Sequence, residues 1–268
     1  MGVHSEAQKA RPSGRGGRGP EPKAARVPAA ISALMACLFS LSFVPGPGPH
    51  ARAGAQGLDK PVAAETRASS DSSFSYRFEN PRFVIPLLEV DVSADGSGQV
   101  RFKRGESDEI IDFNLKLSPP TLARIRELLD SSHFFDSTEE YQSKRDFSYL
   151  GWMTISARQG GRERTVRFNH TANLEMKELA DIFRAIGTQG MHLFNIETSQ
   201  EYQPLDLPGQ LQALENDLRL QRVAEPDRML SVLREIAGND TAPLIARNHA
   251  SRIVSAIEKK KFKSMLDK

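Results

Sequence analysis

From Leu88 to Phe102 apolar and polar residues alternate in two short runs. Leu88, Val90 and Val92 are interleaved with Glu89 and Asp91, and Val100 and Phe102 with Gln99, Arg101 and Lys103. A period of two sends one set of side chains to a buried face and the other to water, so both runs read as strands. Asp95-Gly96-Ser97-Gly98 lies between them, and its residues tolerate the positive φ of a tight reversal, which makes the pair a hairpin. Ile111, Phe113, Leu115 and Leu117 then alternate with Asp112, Asn114 and Lys116 as a third strand.

At Ser118-Pro119-Pro120-Thr121 the period changes. A hydroxyl that can satisfy orphan N–H groups, followed by proline, suits a helix start. Leu122, Ile125, Leu128 and Leu129 recur at helical spacing, and His133-Phe134-Phe135 closes that helix against the sheet. A charged loop from Asp136 to Asp146 precedes a fourth strand, Tyr149 to Ala157. Gln159-Gly160-Gly161-Arg162 turns the chain into a fifth, Arg164 to Asn169. A second helix is expected from about Ala172, with Met176, Leu179, Ile182, Phe183 and Ile186 inward and Thr171 or Asn173 as its cap.

The order βββ-α-ββ-α predicts an α+β domain: an antiparallel sheet of about five strands with the helices on one face. Tyr76 to Pro86 reads as an extra edge strand, limited by Pro81 and Pro86. Beyond Ile186, Gly187 to Gly190 reads as a connector, and the passage to Pro208 as loop. Leu207, Leu211, Leu214 and Leu218 mark a helix. Two more, opened by Pro226 and by Thr241-Ala242-Pro243, form a C-terminal helical hairpin. The expected division is 1–53 targeting segment, 54–75 flexible linker, 76–190 α+β domain, 191–208 connector and 209–268 helical region.

Val90-Asp91-Val92, Asp95-Gly96, Val100, the Leu117-Ser118 helix start, and His133-Phe134-Phe135 with Tyr141 and Asp146 together resemble an uncharacterised domain family of exported bacterial proteins. The resemblance covers roughly Leu88 to Ile186. It implies a fold and an envelope setting, places an Asp at Asp146, and brings no established activity with it.

The N-terminus agrees with export. Lys9, Arg11, Arg15, Arg18, Lys23 and Arg26 precede an almost wholly apolar run from Val27 to Val44, and Ala51-Arg52-Ala53 supplies a small-x-small site. Cleavage near Ala53 would yield a periplasmic or extracellular protein. The run is also just long enough to span a bilayer, so an anchor at residues 27–44 is the alternative, making membrane contact through that segment. Leu34-Met35-Ala36-Cys37 offers lipidation at Cys37 as a third route, against which the chain stays apolar to Val44. The whole chain carries 36 basic and 34 acidic side chains, a net of +2. Losing the segment through Ala53 leaves 29 and 32, a net of −3. Nothing in that balance calls for a nucleic acid. Cys37 is the only cysteine, so a chain cut near Ala53 has no disulfide, thiol catalyst or cysteine metal site.

Signals that invite chemistry are thin. Asp91-x-Ser93-x-Asp95-Gly96 imitates a calcium loop, but the twelfth position, which needs a bidentate Glu, is Phe102. No serine has a Gly-x-Ser-x-Gly context, and no phosphate-binding glycine loop occurs. The helical pair around Gly238-Asn239-Asp240-Thr241 mimics helix-turn-helix, and Lys259-Lys260-Lys261-Phe262-Lys263 reads first as favourable charge at a helix C-terminus. No catalytic residue, metal ligand or cofactor is assigned. One loop is the candidate functional element, through His133, Asp136, Tyr141 and Asp146. The expectation is an exported binding or scaffold module for an envelope protein or small ligand. A hydrolase or metal-dependent enzyme using the 133–146 loop is the alternative.

Overall fold

The computed structural model describes residues 72–105 and 107–265. The targeting segment, Cys37 and residues 54–71 of the expected linker lie outside them. Among the described residues no helix is long and apolar enough to cross a membrane.

The fold is α+β. Six antiparallel strands form one sheet: β1 (Ser73–Glu79), β2 (Leu87–Ser93), β3 (Ser97–Phe102), β4 (Ile111–Lys116), β5 (Trp152–Gln159) and β6 (Arg162–Phe168), in the spatial order β4-β3-β2-β1-β5-β6. Two elements correct the expectation. Among the described residues the sheet has six strands against the about five expected, and the segment expected as an extra edge strand is β1 at the middle of the sheet, with Tyr76 opposite Val90 on one side and Ile155 on the other. Its prolines do not limit it, since Pro81 and Pro86 follow the last strand residue, Glu79. The strand also begins at Ser73, so Ser73 to Ser75 belong to sheet and not to linker. Phe74 and Tyr76 are almost wholly buried.

One face of the sheet carries the apolar set: Val90, Val100, Phe102, Ile155 and Phe168 are buried. Helix α1 (Pro119–Ser131) and helix α2 (Leu174–Tyr202) supply Leu122, Ile125, Leu129, Met176, Leu179, Ile182 and Phe183 to the same core. The opposite face is charged and cross-linked between strands. Arg77 reaches Glu89 at 2.6 Å, and Arg101 reaches Asp91 at 2.6 Å and Glu89 at 3.2 Å. Such pairs fix register more than they stabilise, because solvent screens them.

The second correction is the expected connector. Gly187 to Gly190, and the expected 191–208 connector as far as Tyr202, lie inside α2, which runs 29 residues, about 43 Å. Two glycines in a helix cost about 1 kcal/mol each against alanine, which is why the stretch reads as a break. Packing overrides propensity here. A Cβ at Gly187 would stand 2.7 Å from Leu88 Cδ2, and one at Gly190 would stand 2.8 Å from Val100 Cγ2. The bare backbone lets the helix lie directly on the sheet.

The far end of α2 enters a second apolar cluster through Ile196. That cluster holds α3 (Leu207–Arg219), α4 (Leu230–Gly238) and α5 (Leu244–Glu258), with Leu211, Leu214, Leu233, Ile236, Ala246, Ala250 and Ile253 buried. A buried carboxylate ties the two clusters together. Glu225 Oε1 accepts the Ser118 backbone N–H at 2.8 Å and the Thr121 hydroxyl at the start of α1, while its own N–H donates to Gln189 Oε1 at 2.8 Å. Anionic oxygen at a helix N-terminus satisfies orphan donors and complements the helix dipole.

Candidate functional site

The four residues of the expected loop are held in place for different reasons. His133 adopts φ +51 just past α1. Its N–H donates to the Asp130 carbonyl at 3.0 Å and that of Phe134 to Leu129 at 2.9 Å. This pair of hydrogen bonds is the Schellman termination, so His133 ends a helix. Asp136 pairs with Arg162 at 3.0 Å on the surface. Tyr141 is buried, stacks on Phe134 and donates its hydroxyl to the Ser132 carbonyl at 2.9 Å. Asp146 accepts the Ser148 N–H at 2.7 Å and the Asn169 amide at 3.4 Å. Arg162 opens β6 and Asn169 follows its last residue, so Asp136 and Asp146 are anchored to opposite ends of that strand. The structure does not bring the four together, and the described residues contain no group of three or more His, Cys, Asp or Glu side chains that could hold a metal.

Asp146 nevertheless leads to the feature that the fold does build. By accepting from Ser148 it sets a short 3-10 turn, Ser148–Leu150, that presents Leu150 beside β1. Asn80, buried after β1, donates its side-chain amide to the Tyr149 carbonyl at 3.0 Å and accepts the Arg82 N–H at 3.1 Å. Its backbone N–H donates to Pro86 at 2.9 Å, which closes the loop carrying Phe83 and Ile85. Gly151 permits the approach of the two loops. At φ +92, a Cβ there would sit 2.7 Å from the Glu79 carbonyl oxygen.

Between these loops and α2 lies a cleft of about 520 Å³. Phe78, Leu88 and Met153 from three neighbouring strands form its sheet wall, and Phe83, Ile85 and Leu150 its lip. Its helix wall is the stripe Lys177, Ala180, Asp181, Arg184, Thr188 and Met191, spaced so that successive members share a face of α2. From Lys177 to Met191 the stripe runs about 21 Å, so the cleft is elongated. Phe83 and Leu150 are 45% and 39% exposed, and Val84 and Tyr149 beside them more so. Apolar side chains held out by ordered turns around a concave apolar wall are the usual signature of a binding surface.

Charged groups occupy one half of the helix wall, from Lys177 to Arg184. Arg184 donates to Asp181 at 2.8 Å, to the Tyr76 hydroxyl at 3.3 Å and to the Met153 sulfur at 2.7 Å. Lys177 stands 4.0 Å from Asp181. Burial raises the Tyr76 hydroxyl pKa above its ordinary value, an effect that the charge of Arg184 opposes. His170 also lines the cleft, its ring lying 4.5 Å from that of Phe147, and its Nδ1 has no hydrogen-bond partner among the described residues. Asn173 caps α2 through the Met176 N–H at 2.9 Å.

Sequence reasoning did not gather these residues. Two signals carried the information: the apolar run Phe83-Val84-Ile85 held between two prolines, and the Lys177-Asp181-Arg184-Thr188-Met191 spacing. In comparisons with known proteins, the chain matches no family model and no curated sequence.

Proposed function

We propose that this protein is an exported, non-catalytic binding module, and that its ligand is a small amphipathic molecule with a linear apolar body lying in the cleft along α2. The observation that carries the reading is the cleft itself: an apolar channel with an apolar lip on ordered turns and charged groups along one half of its helix wall, from Lys177 to Arg184. The exported setting rests on the basic, apolar and small-residue order of the N-terminus and on the resemblance noted for Leu88 to Ile186. An elongated channel charged along one half of its helix wall favours a chain-like ligand over a compact ring, because each part of the ligand then meets surface of its own kind.

The test is a titration of the full chain with a neutral, environment-sensitive apolar dye such as Nile red. Saturable binding to the wild type and its loss in Leu150→Asp, with an unchanged unfolding midpoint, is the expected result. Equal dye binding by both proteins, or none by either, would remove the cleft as the functional site.

A further inference from the structure

The charged half of the helix wall has a sign. It carries two cations, Lys177 and Arg184, against one carboxylate, Asp181. Asp181 is held closely by Arg184 at 2.8 Å and only distantly by Lys177 at 4.0 Å, so Lys177 is left poorly paired and its side chain is 65% exposed. The other acidic group near this turn is engaged elsewhere: Glu178 is held by Arg124 at 2.7 Å. Glu175, in the first turn of α2, is not among the residues that line the cleft. Arg184 has capacity to spare as well. One of its nitrogens is directed at the Met153 thioether, a weak acceptor that an anionic oxygen would replace with gain. The α2 helix begins at Leu174, so the positive end of its dipole lies at the Lys177 end of the cleft. His170, whose Nδ1 has no hydrogen-bond partner among the described residues, also lines the cleft.

We infer that the ligand is a single-chain anionic amphiphile, its acyl body running along α2 toward Met191 and its carboxylate or phosphate met by Lys177 and Arg184. This rests on the cleft being the binding site, and adds to it the charge and the direction of the ligand. The direction follows from the stripe: the cations occupy it from Lys177 to its midpoint at Arg184, and Thr188 and Met191 the remaining half.

The experiment is calorimetric titration of the full chain with decanoate, decyl phosphate and decanol, repeated on Lys177→Gln and Lys177→Arg. Decanoate or decyl phosphate is expected to bind the wild type at least about fivefold more tightly than decanol. Lys177→Gln should erase most of that preference while leaving decanol affinity unchanged, and Lys177→Arg should keep it. The relative strengths of the two anions identify the head group. Equal binding of decanol and both anions by the wild type would overturn the anionic ligand but leave the apolar cleft standing, as would an undiminished preference in Lys177→Gln overturn the role of Lys177. Binding of none of the three probes would overturn both the anionic ligand and the cleft reading.

Discussion

Gly187 lies against Leu88 so closely that a Cβ at 187 would come within 2.7 Å of Leu88 Cδ2 and 3.1 Å of its Cγ. This contact sets the height of α2 above the sheet, and Leu88 is also part of the cleft wall. Replacing Gly187 by Val should therefore destabilise by about 1–3 kcal/mol through overpacking, despite the removal of a helix-weakening glycine. Gly190→Ala, facing the β-branched and stiff Val100, should behave alike. Chemical denaturation midpoints check both, and a gain in stability would contradict the close approach.

His133 holds φ +51 as the terminator of α1. A glycine there removes the left-handed strain, so His133→Gly should raise stability by about 1 kcal/mol. Thermal unfolding measures this directly. A loss of stability, or of ligand binding without loss of fold, would show that the imidazole does more than end a helix.

Asp146 braces the cleft without entering it. Asp146→Ala removes the acceptor for Ser148 and Asn169, and should cost about 1 kcal/mol of stability while weakening ligand binding. The Asp146→Asn variant keeps one acceptor oxygen and should fall between. A titration on both variants decides it: unchanged affinity in Asp146→Ala would separate the turn from the cleft.

Glu225 joins the helical region to the start of α1, and its removal orphans the Ser118 N–H and the Thr121 hydroxyl. Glu225→Ala should cost about 2–3 kcal/mol, read as a lowered denaturation midpoint. A neutral outcome would mean that the two apolar clusters hold together without it.

The pH dependence has a definite sign at Tyr76. Its folded pKa is raised above the ordinary value of 10.0, mainly by burial. Its contribution to stability is therefore complete below pH 10 and is lost as pH rises through the folded value, because only the neutral hydroxyl is tolerated inside. Alkaline unfolding should be shallower in Tyr76→Phe. At the acid side the sign reverses for Glu215, whose carboxyl is held below its usual range by Arg219 and His249. That contribution is present at neutral pH and lost as pH falls through the folded value, so Glu215→Gln should flatten the acid limb of the stability profile.

Much of the fold was legible because burial imposes period. Val90, Val92, Val100 and Phe102 alternate, and so does the buried set of β5 and β6. The helices of the C-terminal region follow from Leu207, Leu211, Leu214 and Leu218, each of which is buried. Two features escaped for physical reasons. Phe74 and Tyr76 alternate over too short a run before Pro81 to show that β1 is central, since strand position in a sheet leaves little trace in one strand. The glycines of α2 follow a packing demand from Leu88 and Val100, residues 99 and 90 positions earlier, which no local propensity contains. The cleft escaped for the same reason. Phe83, Leu150 and Met191 are far apart in the chain, and an apolar residue in a loop looks alike whether or not a cavity lies beside it.

A ligand received by the cleft along α2 would be reported by the methionines. Met153 and Met191 line the cleft, whereas Met229 is buried in the second cluster and Met176 in the core beneath α2. With methyl-labelled methionine in the full chain, a decanoate titration followed by NMR should move the Met153 and Met191 methyl signals together, saturably, and leave Met229 in place. Shifts confined to Met229, or no shift at Met153 and Met191 at concentrations where decanoate binds, would contradict binding in the cleft.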